Sequence, residues 1–380
     1  MLPIEIPVPR FDSATVRAAF EIERIRAELR SGTTPANVFF ELHGLFAVLT
    51  SIVSARIEGN RTSVRDAIVE IEEHERDDSG VSDSVSEIIN IRSAMRFIDE
   101  AAADQPLTHS LIRELHRRAV TGLSREGDRT PGSYRTGDVS IAGARHVPPQ
   151  HFDVMPTMDE LLTFINLPRE AHMQLLHVAV AHHRFLWIHP FGNGNGRVSR
   201  LMSYWMLRRD GFVSPNSFRT INPTAVFGGE RSQYYDRLSG ADDLSEGGIE
   251  AWCEYFLSGM LRDLQRVRTL QDFDFVADRL VSPALDRMVN VGRIQRLEAD
   301  VLLRALKMET IRAGDVSDIV QGSASQRSVA LRALIERGFL APVAEGRRQY
   351  RLSFAANEMT GFLVSQLDSL DLLPSILRDN

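Results

Sequence analysis

Positions 189 to 200 read His-Pro-Phe-Gly-Asn-Gly-Asn-Gly-Arg-Val-Ser-Arg. The residue types in this string suit the handling of a phosphate. Gly192, Gly194 and Gly196 alternate with Asn193 and Asn195, so the backbone can take positive φ and aim successive N–H groups at one point. Leu201, Met202, Trp205, Met206 and Leu207 follow at helical spacing, which predicts a helix over 195–209. A glycine-rich turn feeding a helix N-terminus is an anion site, and phosphate is the usual anion. Arg197 and Arg200 stand three residues apart on the first turns of that helix and are expected to face one side. Cations there oppose the helix dipole unless an anion sits between them. His189 is the one titratable base beside that anion, which casts it as a general base. The string lacks the Walker pattern, and no strand leads into it as a dinucleotide site requires.

A second position has the same electrostatic logic in reverse. Pro35 opens a predicted helix over 36–57, apolar at Val38, Leu42, Leu45, Val48, Leu49 and Ile52 and ended by Gly59-Asn60. Glu58 falls in its last turn, where the dipole disfavours a negative charge by a few tenths of a kcal/mol to about 1 kcal/mol. Ser54 lies four residues earlier on the same face. A solvated terminal carboxylate explains Glu58 equally well unless a cation meets it, and the arginine pair is the obvious candidate.

The elements that must position these groups are mostly helical. Helical patterns cover 13–30, 62–76, 83–103, 108–120, 151–165, 170–186, 229–239 and 247–270, and a helical connector carries the chain to about 290. From Gly132 to Pro149 the pattern changes to that of a short hairpin. Residues 292–355 read as a separate small unit, with helices at 294–308, near 314–320 and at 325–337, then strands at 339–343 and 349–352. Three helices and a hairpin of that size resemble a winged helix-turn-helix. This segment carries eleven Lys/Arg against seven Asp/Glu within a chain of net charge −7.

A length of 380 residues allows two domains, and the acidic balance argues against a nucleic-acid coat while permitting a local basic patch. Cys253 is alone, so no intrachain disulfide can form and a reducing compartment is expected. The most apolar stretch, 45–55, is interrupted by Thr50, Ser51 and Ser54 and is too short to span a bilayer. The first residues lack a cleavable leader pattern. These features together make a cytoplasmic protein without a membrane partner the expectation. His172, His177, His182, His183 and His189 invite a metal reading, but HExxH is absent and no cysteine accompanies them, so His182 and its neighbours are read as structural.

The string at 189–200 resembles the signature of the Fic family, HPF-x-(D/E)-GNGR-x-x-R. It matches at His189, Pro190, Phe191, Gly194, Asn195, Gly196, Arg197 and Arg200. It departs at Asn193, where the family usually has an acid. Ser54-x-x-x-Glu58-Gly59 resembles the family's inhibitory motif, (S/T)-x-x-x-E-(G/N). The resemblance implies a mainly α fold, a Fic-type helical core with a small β-hairpin flap, to which the winged helix-turn-helix is appended. The divisions would be an arm and helix at 1–34, an inhibitory region at 35–60, a catalytic core at 61–270, a connector at 271–291, and the winged helix with a tail at 292–380.

Carried over residue by residue, the resemblance implies a protein adenylyltransferase moving AMP from ATP to a Tyr, Thr or Ser hydroxyl. His189 would be the base. Asn193, Gly194, Asn195, Gly196, Arg197, Val198, Ser199 and Arg200 would form the phosphate-binding run, and Tyr235, of the pair Tyr234-Tyr235, would stand near the adenine. Gly143, Ala144, Arg145 and His146 would belong to the flap that docks a target segment. Glu58, with Ser54, would inhibit by pairing with Arg200. Mg²⁺ would bridge the phosphates, with Asn193 as a weak ligand because an amide brings no charge. Transfer of another moiety, removal of AMP, and DNA-binding regulation through the winged helix stay open. So do the target protein, with the chain itself among the candidates, a DNA or protein contact through the winged helix, and a homo-oligomer.

Overall fold

A computed structural model describes residues 3–29, 32–77, 79–102, 104–141, 143–213, 225–228, 231–344, 346–354 and 357–378. Positions 30, 103, 229 and 230 of the expected helices, Ala142 of the expected hairpin and Glu345 of the C-terminal turn lie outside these residues.

The chain is mainly α-helical. In order, the helices are α1 (Ala14–Glu28), α2 (Ala36–Ile57), α3 (Val64–Asp77), α4 (Asp83–Glu100), α5 (His109–Val120), α6 (Val154–Asn166), α7 (Gln174–Ile188), α8 (Asn195–Arg209), α9 (Ala225–Gly228), α10 (Arg231–Ser239) and α11 (Glu246–Arg268). After them come α12 (Phe273–Phe275), a π-helical stretch over Val276–Val281, α13 (Ser282–Asn290), α14 (Arg296–Lys307), α15 (Ala324–Glu336) and α16 (Met359–Ser369). Side-chain caps set several starts. Ser82 Oγ accepts from the Val85 N–H at 3.3 Å, and Thr108 Oγ1 from the Leu111 N–H at 3.3 Å. Each satisfies a donor that the first helical turn leaves without a partner.

Helix α2 is the centre of the core. Leu42, Leu45, Leu49, Ile52, Val53, Ala55 and Ile57 are fully buried, and its neighbours include α4, α8 and α9. Among the described residues it is the one helix long and apolar enough to cross a bilayer. Here it is enclosed on nearly every side, which is what an all-round apolar helix requires in a globular setting. Behind α8, the buried histidines serve packing. His182 bridges Ser203 Oγ at 2.9 Å and Tyr234 OH at 3.0 Å, and His177 Nε2 meets the Phe164 carbonyl at 2.9 Å.

The C-terminal unit runs α14, a 3₁₀ turn (Ala313–Val316), α15 and a hairpin of β1 (Leu340–Pro342) and β2 (Tyr350–Leu352). Leu340 pairs with Leu352 and Pro342 with Tyr350, antiparallel, and Ile311 adds a single bridge to Tyr350. The helix expected near 314–320 is only this 3₁₀ turn. It is short because Arg312 opens it, Gly314 sits inside it, and Gly322-Ser323 starts the next helix at once. The expected tail contains α16, which packs on α13 and α3 and ties Gln366 Nε2 to the Arg279 carbonyl at 2.7 Å.

The hairpin expected over Gly132–Pro149 forms no strand pair among the described residues, and β1–β2 is the one two-stranded sheet among them. The segment is extended backbone with a turn closed by the Ala144 N–H on the Ile141 carbonyl at 3.1 Å. Pro148 and Pro149 have no N–H to give a ladder. One buried arginine supplies the tie that a ladder would otherwise provide, as the next section describes.

Candidate active site

Helix α8 begins where the glycines permit. Gly194 is its N-cap at φ 77°, and the Val198 N–H closes the first turn on the Gly194 carbonyl at 3.0 Å. Asn195 staples the preceding turn, its Oδ1 accepting from the Phe191 N–H at 3.0 Å and its Nδ2 donating to the Phe191 carbonyl at 2.9 Å. The N-terminus of α8 is thereby held toward a cleft of about 170 Å³ whose lining includes Glu58, His189, Gly196, Arg200 and Tyr235.

The anion end of that cleft is filled by the chain's own carboxylate. Glu58 Oε1 lies 2.5 Å from Arg200 Nη2. The Arg200 side chain is 3% exposed and also donates through Nε to Ser54 Oγ at 2.9 Å and through Nη2 to the Ser54 carbonyl at 3.1 Å. A Cβ built on Gly196 would stand 2.2 Å from Glu58 Oε1. Residue 196 must therefore be glycine for the carboxylate to lie on the helix terminus. Burial pushes the Glu58 carboxyl up, but Arg200, then Arg197, and the Arg200 hydrogen bond outweigh it and hold it below the usual carboxylate range. Arg200 Nη1 is buried with no hydrogen-bond partner among the described residues. One face of the guanidinium is thus left unsatisfied.

His189 caps the C-terminus of α7 in the left-handed region, φ 51° and ψ 59°, with its N–H on the Phe185 carbonyl at 3.0 Å. A non-glycine residue there is held by its surroundings. Burial depresses the imidazole to about 4; the Leu186 carbonyl pulls it up and Arg135 pushes it further down. At neutral pH it is therefore unprotonated and able to accept a proton.

The two arginines do not share a side. Arg197 turns toward α4 and α5, where Nη2 donates to the Glu126 carbonyl at 2.6 Å and Nη1 stands 3.3 Å from Glu87 Oε1. It is 1% exposed and does not line the cleft. An offset of three residues leaves about 60° between two side chains on a helix, enough for opposite walls to claim them. Val198 is core, and Ser199 Oγ bonds back to the Gly196 carbonyl at 2.7 Å, so neither side chain faces the cleft. Asn193 is also turned away. Its Oδ1 accepts from the Gly194 N–H at 2.7 Å and its Nδ2 donates to the Gly127 carbonyl at 3.0 Å, which commits the amide expected to be a metal ligand to shaping the loop. Asp128, the nearby carboxylate, accepts from the Asn193 N–H at 2.9 Å and from the Thr130 N–H at 2.7 Å. No group of three metal-ligating side chains occurs among the described residues. The donor set does not fit a resident Mg²⁺.

Both tyrosines of the pair line the cleft: Tyr234 is buried behind it, and Tyr235 is exposed, with its hydroxyl 3.4 Å from the Ile57 carbonyl. On the flap segment, Ala144 and His146 line the cleft while Gly143 and Arg145 are exposed, the alternation of an extended chain.

Three residues escaped the sequence reading. Glu87 is buried, accepts from Asn60 Nδ2 at 3.0 Å and pairs with Arg197, so it connects the turn after Glu58 to α8. Arg231 Nε donates to the Ile57 carbonyl at 2.7 Å and is a further cation beside Glu58. Arg135 is the tie under the flap. Its Nε donates to the His189 carbonyl at 2.9 Å, Nη1 to the Gly137 carbonyl at 3.1 Å and Nη2 to the Pro149 carbonyl, while its N–H meets the Pro190 carbonyl at 2.9 Å. One guanidinium thus holds both ends of the flap segment to the backbone of His189. Nothing in the local pattern marks Glu87 or Arg231; Tyr134-Arg135 stood in the flap segment without an assigned role.

A helical domain that sets a neutral histidine beside an arginine-lined helix N-terminus is built to act on a bound anion. Residues 106–207 match the Fic/DOC family. It is 30% identical over 207 residues to the protein adenylyltransferase Fic of Aedes aegypti, covering 53% of this chain and 38% of that protein. It is 31% identical over 208 residues to the protein of the same name from Drosophila virilis, covering 53% and 39%. The chain thus spans about two fifths of the length of the curated relatives it matches. In fold it is similar to a Fic family protein from Desulfovibrio desulfuricans G20, with a TM-score of 0.60 and 19% identity over 93% of this chain and 98% of that one. It is also similar to Fic-1 (residues 134–508) from C. elegans, with a TM-score of 0.54 and 20% identity over 66% and 71%.

The His189 environment generates a test. Its proton affinity is depressed from the ordinary 6.5 to about 4, so the folded chain binds fewer protons than the unfolded chain between those values. Its contribution to stability is complete above pH 6.5 and is lost as pH falls toward 4. NMR titration should find the His189 ring neutral down to nearly pH 4. Arg135→Gln should move that midpoint upward, because it removes a nearby cation, and Arg135→Lys should largely preserve it. A midpoint near 6.5 in the parent chain, or no shift in Arg135→Gln, would refute the assignment.

Proposed function

We propose that this chain is a protein adenylyltransferase whose resting state is inhibited by Glu58. The target hydroxyl oxygen attacks the α-phosphorus of ATP, its proton passes to His189, and the bond from the α-phosphorus to the bridging oxygen breaks to release diphosphate. The N–H groups at the start of α8 stabilise charge developing on the α-phosphate, as preorganised donors do. Arg200 holds the terminal phosphate. Arg197, paired with Glu87, acts from behind by fixing α8 to α4.

The observation that carries this reading is the position of the Glu58 carboxylate. It lies over Gly196 and on Arg200, where a helix terminus and a guanidinium together suit a phosphate. The pair and a phosphate on Arg200 compete for one cation, so a nucleotide seated beside Glu58 is turned from in-line attack. Misplacement of that kind costs rate steeply, since positioning supplies much of the catalysis. Removing Glu58 leaves a buried cation short of a counter-ion, a situation worth about 3–5 kcal/mol, which favours nucleotide in the productive place.

Incubation with α- and γ-labelled ATP tests the reading. Glu58→Gly should incorporate α-label into protein, the chain itself included, well above the parent, with no γ-label. Adding His189→Ala should lower that rate by about 10²–10⁴, and adding Arg200→Ala should abolish the gain. Incorporation of γ-label, or equal rates for Glu58→Gly with and without Arg200→Ala, would overturn the proposal.

Magnesium would arrive on the phosphates of ATP, since the loop offers it no unengaged carboxylate. Asn193→Asp cannot keep the donation to Gly127 and adds a charged hard ligand. In the Glu58→Gly background it should lower the Mg²⁺ concentration for half-maximal α-label incorporation. An unchanged or higher requirement would mean that residue 193 stays out of the metal's reach.

A further inference from the structure

We infer that the C-terminal unit, together with the tail that follows it, is a brake on the active site, acting by gripping both ends of α2. The inference rests on the adenylyltransfer reading only for its catalytic readout. Near the start of α2, Glu41 is a buried carboxylate on a mainly apolar helix, with a side chain 9% exposed. Its Oε2 accepts from the Phe354 N–H at 3.0 Å and from Ser353 Oγ at 3.3 Å, and its Oε1 stands 3.4 Å from Arg351 Nη1. Asn37 Nδ2 adds a bond to the Glu309 carbonyl at 3.0 Å. Near the end of α2, Arg56 Nη1 donates to the Ile376 carbonyl at 2.6 Å, while its Nη2 holds the Thr62 carbonyl at 3.0 Å.

These grips lie fifteen residues apart, roughly 22 Å along a helix at 1.5 Å per residue. Arg56 is two residues from Ser54 and two from Glu58, the residues that hold Arg200. A buried carboxylate is costly unless paired and hydrogen-bonded, and Glu41 takes its partners from β2 (Arg351) and from the segment leaving it (Ser353 and Phe354). That segment is continuous with α15 through β1 and β2. A change of state in the C-terminal unit therefore reaches α2 through a short, hydrogen-bonded route. The two-state element is the Glu58–Arg200 contact, and the grip biases it toward closed. Linkage makes the effect reciprocal: whatever draws the C-terminal unit off α2 favours the open site, and a nucleotide that takes Arg200 loosens the grip.

The experiment uses the full chain with Arg56→Gln and Glu41→Gln, read by hydrogen exchange without nucleotide and by α-label incorporation. Amides at 54–58 should exchange about tenfold faster in each variant. Incorporation should rise toward that of Glu58→Gly, and Arg56→Gln added to Glu58→Gly should give no further gain. Unchanged exchange at 54–58, or the same gain on top of Glu58→Gly, would overturn the brake. Should Glu41→Gln fail to fold, Arg351→Gln, which keeps the donors from residues 353 and 354, takes its place under the same criteria. If Glu58→Gly itself incorporates no α-label, the adenylyltransfer reading has failed, and the exchange result alone decides the brake.

Discussion

The carboxylate of Glu58 on the N-terminus of α8 is the contact around which the rest of the structure is arranged. Two unfavourable placements meet there. A negative charge ends α2, where carbonyl dipoles point at it, and a positive charge stands in the first turns of α8, where amide dipoles oppose it. Each defect is corrected by the other: Arg200 neutralises Glu58, and the carboxylate lies over Gly196, where a Cβ would collide with it. The surroundings keep the contact well positioned. Ser54 holds the guanidinium from the side, and Glu87 holds Asn60 and Arg197 together, so the turn that bears Glu58 and the helix that bears Arg200 share one support.

The chemistry depends on that geometry through a second support, Arg135. A left-handed histidine at a helix C-terminus is not self-sustaining. Here its carbonyl, the carbonyl of Pro190 and both ends of the flap converge on one residue. His189 and both ends of the flap segment, Gly137 and Pro149, are thereby fixed to one another, although among the described residues that segment forms no ladder of its own. A segment without a built-in partner strand keeps its backbone groups available to an incoming one.

The contrast between what was legible in the sequence and what was not follows from the range of the forces involved. Helix α8 was readable to the residue because glycine chemistry and helical spacing act locally, and α2 was readable from its apolar repeat and its Gly59 stop. The pairing of Glu58 with Arg200 was inferable because both residues carried local defects that required a remote remedy. Arg197 was misjudged for the opposite reason. Its local position resembles that of Arg200, and only the tertiary placement of Glu87 and the Glu126 carbonyl decides that it turns away. Asn193, Val198 and Ser199 were assigned by their place in a motif, whereas the loop's own hydrogen-bond needs and the core took their side chains. Arg135, Glu87 and Arg231 act on backbone carbonyls or on residues far away in sequence, and no periodicity records such partners.

The same reasoning explains why the most apolar helix among the described residues ends on Glu58. A carboxylate that must reach a single guanidinium within hydrogen-bond distance cannot be borne by a surface loop, whose excursions exceed that tolerance. Leu49, Ile52, Val53 and Ile57 are fully buried and fix the rotation and register of α2, so the position of Glu58 follows from core packing. A well-packed core has discrete arrangements and does not deform continuously. The end of such a helix is therefore either in place or out of it. Polar groups within α2 are then informative, because each opposes the burial that the rest of the helix maximises. Ser54 serves Arg200, Arg56 reaches the C-terminal segment at Ile376, and Glu41 meets the segment leaving the hairpin. The three contacts place the active site, the tail and the C-terminal hairpin on one rigid element, which is the physical condition for any of them to influence another.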